Sequence, residues 1–100
     1  MGRRRPRARP PAPVAHPGGL AERQLARGAY GRALDLALGA VEYEPLRESP
    51  QRLVVRIHLA EDNLVEAVRA VRGFQELLWR EIRVRPSAEF MRLVELPVPT

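Results

Sequence analysis

One hundred residues make one small domain, and with 45% of them hydrophobic a core can form if most of the chain is helical. Cysteine is absent, which excludes disulfides, thiolate metal sites and cysteine nucleophiles, and no apolar run approaches the ~20 residues needed to cross a bilayer. The net charge of +5 sits at one end: Met1 to Gly18 carries five arginines and no acid, and the remainder is neutral.

All the basic residues are arginine and none is lysine. Together with the abundant Ala, Pro and Gly, this fits the codon bias of a GC-rich genome and weakens any argument from arginine chemistry alone. Residues 1–19 combine Arg3, Arg4, Arg5, Arg7 and Arg9 with five prolines. Such a segment buries too little apolar surface to offset its conformational entropy, and it lacks the apolar core of a secretion signal, so it reads as a disordered tail.

From Leu20 the pattern turns helical. Leu20, Ala21, Leu25 and Ala26 share one face of a first helix that Gly28 breaks. A second helix runs from Tyr30 to about Tyr43, with Tyr30, Ala33, Leu34, Ala37, Leu38 and Val41 as its apolar stripe and Pro45 as its stop. Ser49-Pro50 reads as the cap and first residue of a third helix lined by Leu53, Val54, Ile57 and Ala60. After the polar turn Glu61-Asp62-Asn63, a fourth and longest helix runs from Leu64 to about Arg83, burying Ala67, Val68, Val71, Phe74, Leu78 and Ile82. Ser87 caps a last short helix with Phe90, Leu93 and Val94 before Pro97 and Pro99 stop it.

The two halves echo each other at a spacing of 34. Leu25-Ala26 recurs as Leu59-Ala60, Tyr30 as Leu64, Ala33 as Ala67 and Gly39 as Gly73. Stacked helical pairs need a small contact residue and a bulky filler one turn earlier, so Ala33 and Ala67 are the contacts and Tyr30 and Leu64 the fillers. Glycines in one register within helices predict close packing there. The expected fold is all-α: a tetratricopeptide-like right-handed stack of two helical hairpins plus a C-terminal capping helix.

Three stretches in order, GAYGRALDLALGAVEYEPLRESPQRLV, AEDNLVEAVRAVRGFQELLWREI and VRPSAEF, make residues 20–96 resemble the bacterial transcriptional activator domain of SARP-type regulators. The resemblance implies a non-catalytic tetratricopeptide-like module that follows a winged-helix DNA-binding domain and works through self-association or contact with other proteins. Here an Arg/Pro tail stands where that DNA-binding domain is expected. Arg83 replaces the family's usual glycine, Ala88 its frequent proline and Val71 its common aromatic, and the first change predicts a less sharply ended fourth helix. Residues 97–100 form a short C-terminal tail.

Catalytic chemistry finds little footing. Ser49 and Ser87 stand where helices need caps. His16 lies in the tail, and His58 lies in the third helix without a second ligand at metal-binding spacing, so it reads as a partly exposed helical histidine. Glu42, Glu44 and Glu48 cluster around Pro45, where paired carboxylates could act as acid and base; a solvated loop is the simpler reading. No glycine-rich phosphate loop occurs, and no cofactor, metal or small-molecule substrate is expected. The expected partner is a protein or a second copy, in the cytoplasm and away from membranes.

Candidate contacts follow from helical geometry. Gln24, Arg27, Arg56 and His58 fall on the concave side, between the first helices of the two repeats. Trp79 falls beside Arg72, Gln75, Glu76 and Arg83, off the apolar stripe. It is either a partly exposed contact or packs under the last helix against Phe90. The arginine tail is an inert linker, upstream sequence read from a mis-assigned start codon, or a nucleic-acid arm. As an arm, Arg3, Arg4, Arg5, Arg7 and Arg9 would attract phosphates without reading bases, the runner-up function for the chain. A third possibility is a truncated remnant without function.

Overall fold

The structure is a computed structural model that describes residues 17–95. Five α-helices, α1 (Pro17–Ala26), α2 (Tyr30–Tyr43), α3 (Glu48–Ala60), α4 (Leu64–Ile82) and α5 (Ala88–Met91), are followed by a 3-10 turn at Arg92–Val94. Among the described residues there is no strand. The tail arginines, His16, Pro97 and Pro99 lie outside the described residues. α1 starts at Pro17, so Gly19 belongs to a helix and not to the tail.

The 34-residue echo is a structural repeat. α1 and α3 end at Ala26 and Ala60, and α2 and α4 start at Tyr30 and Leu64. The connecting turns match bond for bond. The Ala29 N–H donates to the Gln24 carbonyl and the Gly28 N–H to Leu25; in the second hairpin Asn63 donates to His58 and Asp62 to Leu59. Both are Schellman endings, which need one residue in the left-handed region. Gly28 supplies it at φ 77° and Asp62 at φ 59°. Glycine adopts this conformation without steric cost, and aspartate is among the few other residues that visit it. No atom lies near the position of a Cβ on Gly28, so the requirement there is conformational. Gly28→Ala is expected to cost about 1 kcal/mol, read as a lower urea midpoint with an unchanged slope.

Packing follows the same period. Ala33, Ala37 and Ala40 are buried in α2, and Ala67, Val71 and Phe74 are buried at the equivalent positions of α4. The first hairpin is thus held by close alanine contacts and the second by larger side chains. α3 serves both: Leu53, Val54 and Ile57 join Ala21, Ala33 and Ala37 in one cluster. Val55 joins Ala67, Val71, Phe74, Leu78 and Phe90 in the other.

Several expectations are corrected. Gly39 and Gly73 are exposed and would accept a Cβ without contact, so their shared register does not mark close packing. Leu64 is 40% exposed and fills no gap, unlike Tyr30, which packs on the first cluster. Leu38 and Ile82 leave their stripes for solvent, as does Ala60, while Val55 enters the core because α3 has helices on two sides. Ser49 caps nothing. α3 begins at Glu48, and Pro50 falls within the first turn, where its missing N–H would have had no helical partner anyway.

α5 closes the stack as expected. Ser87 accepts the Phe90 N–H at 3.1 Å as its cap, and Phe90 meets Phe74 edge-on, with centroids 5.2 Å apart and planes at 67°.

Candidate functional site

The C-terminal end of α4 carries the most unusual surface among the described residues. α4 runs to Ile82, and Arg83 terminates it in the left-handed conformation, φ 57° and ψ 40°, with its N–H donating to the Trp79 carbonyl. The helix therefore stops sharply without the glycine, contrary to the expectation drawn from Arg83. The turn brings Arg85 back toward the helix. The guanidinium carbons of Arg83 and Arg85 each lie 5.3 Å from the Trp79 ring centroid, within the range of cation–π attraction.

Trp79 is 44% exposed, so the reading that buries it against Phe90 is overturned; Phe90 is occupied by Phe74. Gln75, Glu76, Trp79, Arg80 and Arg85 line an open hollow of about 320 Å³. Ile82 and Val84, beside it in the chain, are also about half exposed. Among the described residues neither Arg83 nor Arg85 forms an ion pair, whereas Arg80 has Glu81 at 3.8 Å. The spacing of α4 made Gln75, Glu76 and Arg83 legible as neighbours of Trp79. Arg85 was missed because it reaches the indole only through the left-handed turn. The signal was Arg83 itself, a bulky residue where a helix end wants glycine.

Arg83 stays at positive φ against a steric cost of about 1 kcal/mol. Its stacking on Trp79 offsets part of that, since an exposed cation–π contact is worth about 0.5–1 kcal/mol. Arg83→Ala keeps the strain and loses the stacking, so Arg83→Gly is expected to be about 1 kcal/mol more stable than Arg83→Ala, measured by chemical denaturation of the two variants.

The concave-side candidates are placed differently. Arg56 in α3 reaches back to Glu22 in α1 at 3.3 Å, again a pair 34 positions apart. This exposed bridge ties the two first helices across the face expected to bind. Arg27 is exposed in the turn after α1 and Gln24 is half-buried. His58 keeps only 13% of its side chain exposed, and its Nδ1 is buried without a hydrogen bond, 3.9 Å from Glu61. The structure therefore brings Arg56 to a salt bridge and His58 into the packing, and leaves Arg27 free of ion pairs among the described residues. Trp79 stands apart from these residues on α4.

Of the glutamates around Pro45, Glu42 is exposed without an ion pair among the described residues, and Glu44 and Glu48 serve structure. Glu44 pairs with Arg47 at 2.8 Å. Glu48 accepts from Arg52 at 2.8 Å, from the Ser87 hydroxyl at 2.6 Å and from the Ser87 N–H at 2.9 Å. Burial pushes the Glu48 carboxyl up, and the Ser87 and Arg52 hydrogen bonds outweigh that, holding it below its ordinary value. Among the described residues no three His, Asp or Glu side chains gather as a metal site would require.

The fold and its repeat agree with a comparison against protein families, in which residues 17–95 match the model of the bacterial transcriptional activator domain. The chain belongs to that family. Comparison with curated proteins and with solved structures gave no match. The bacterial transcriptional activator domain is a regulatory module of transcription, and the match spans every helix from α1 to α5 and the closing 3-10 turn. The Trp79 surface thus lies inside the domain, at the end of its longest helix. No helix among the described residues is long and apolar enough to cross a membrane.

Proposed function

We propose that this bacterial transcriptional activator domain is a non-catalytic regulatory module that acts in the cytoplasm by contacting a protein partner. The observation that carries the reading is the exposed Trp79 with two unpaired guanidinium groups stacked on it. Exposed tryptophan and arginine are the residues most enriched where interfaces concentrate their binding energy. The isolated hydrophobic side chains elsewhere on the surface need no such explanation.

A second reading rests on the charge segregation of the sequence, with five arginines before Gly18 and a neutral remainder. On that reading the tail draws the chain to DNA through phosphate contacts. Such binding falls steeply with salt and disappears when residues 1–16, which precede α1, are removed, whereas a protein contact through Trp79 survives the truncation.

Transcript profiling of cells lacking the chain, complemented with the wild type or with Trp79→Ala, tests the main reading. Transcript levels change on deletion, and the wild type restores them while Trp79→Ala does not. Unchanged transcripts on deletion would sink the regulatory role. Full restoration by Trp79→Ala would remove Trp79 from it.

A further inference from the structure

We infer that Trp79, Arg83 and Arg85 form a docking site for an acidic segment of a protein partner, one that presents an apolar side chain between carboxylates. This rests on the protein-contact reading above and names the chemistry of the partner.

The argument starts from charge. In the second hairpin Arg69 pairs with Glu66 at 2.9 Å and Arg80 with Glu81 at 3.8 Å. Arg83 and Arg85 instead lie over an aromatic face. Stacking holds a guanidinium in place while leaving its N–H donors at the edge free, and that edge matches a carboxylate with two parallel hydrogen bonds. Two guanidinium groups on one indole make two such receptors.

The second argument is apolar. Trp79, which lines the hollow, is 44% exposed, and Ile82 and Val84, next to this site in the chain, are about half exposed. A purely ionic ligand would leave this surface in water. An aliphatic or aromatic side chain beside the carboxylates covers it, and about 320 Å³ accommodates one such side chain.

The third argument is the backbone. Arg83 holds a conformation unfavourable to any residue with a Cβ. Strain of this kind collects at sites that bind. Here it is what aims both guanidinium groups at one ring.

A nucleic acid could also stack on Trp79, but Glu76 lines the hollow and Glu81 adjoins Arg80, so a phosphate chain would meet carboxylates along with two guanidinium groups. A short peptide can place its few charges at Arg83 and Arg85 and avoid them.

Trp79 is the single tryptophan of the chain, so its emission reports this site directly. The probe is a short synthetic peptide of glutamate, leucine and phenylalanine, titrated into the full chain at low salt. The expected result is a saturable change in Trp79 emission. Affinity should fall about tenfold in Arg85→Gln, the loss of one charge-assisted contact. A peptide with glutamine for every glutamate should bind far more weakly. Arg85 lies in the exposed connection after α4, so the variant keeps the fold, and an unchanged thermal midpoint verifies this. The proposal is overturned by the absence of a saturable change, by equal binding of the glutamine peptide, or by tighter binding of single-stranded oligothymidylate. It is likewise overturned if sedimentation shows copies of the chain associating through this patch and excluding the peptide, which would make a second copy the occupant. Peptide binding is read on purified protein, so its failure is separate from the transcript test: unchanged transcripts with intact peptide binding sink the regulatory reading and leave the site.

Discussion

Phe90→Ala is expected to destabilise the domain by about 3 kcal/mol or more, the usual cost of truncating a buried phenylalanine. Phe90 is fully buried, and its ring edge packs on Phe74, itself 2% exposed. The cluster around them holds Val55 from α3 and Ala67, Val71 and Leu78 from α4. Removing the ring leaves a cavity lined by three elements and also forfeits the aromatic pair, worth about 0.5–1.5 kcal/mol beyond the buried area. α5 is one turn long and has no other fully buried side chain. It cannot stay docked without Phe90, so the end of the stack opens and Phe74 meets water. A small domain has only about 5–15 kcal/mol in total. Thermal unfolding should therefore show a large drop in midpoint, together with binding of a hydrophobic dye at temperatures where the wild type binds none. A loss below about 1 kcal/mol would mean that α5 is not the cap of the second hairpin.

Trp79→Phe offers a contrast at the same helix. The indole is only partly covered and its cation–π contacts are to exposed arginines, so stability should stay within about 0.5 kcal/mol of the wild type. Two aromatics five residues apart on α4 thus separate stability from contact. Phe74 holds the fold and Trp79 is available to a partner.

That division was half legible in the sequence. Helix spacing put Phe74 on the buried stripe and Trp79 off it, because both judgements depend only on the helical period. The helix ends were legible for the same reason: Gly28, Pro45 and Asn63 act on their own backbone. Ser49 misled because a serine before a proline is a good local start, whereas α3 actually begins with Glu48, whose partner Ser87 is 39 positions away. His58 and Arg56 looked like free contacts on the concave side because a single helix cannot show what the neighbouring repeat covers or bridges. Arg85 was missed on the same ground. Period and turn chemistry are local, and the pairings that close the domain are not.

Glu48 is the clearest such pairing and sets the second large effect. Its carboxylate joins the start of α3 to the start of α5, accepting from Arg52, the Ser87 hydroxyl and the Ser87 N–H. It also lies in the first turn of α3, where the helix dipole favours negative charge. Glu48→Ala removes all three acceptor contacts and is expected to cost about 1.5–2 kcal/mol, in the range for hydrogen bonds to a charged group. Because Ser87 in turn caps α5, part of the loss appears as earlier opening of that helix, visible as faster amide exchange at Phe90. Glu48→Gln keeps the shape and loses the charge, and should cost about 1 kcal/mol at neutral pH. The folded protein holds the Glu48 carboxyl below its ordinary value of 4.5. A carboxylate so depressed contributes stability that is fully present above the unfolded value and is lost as the pH falls through the folded one. The gap in stability between wild type and Glu48→Gln should therefore be constant above pH 4.5 and shrink below it. Denaturation of both proteins across that range decides the matter: a gap that persists unchanged into acid would mean that the ionised carboxylate is not what ties α5 to α3.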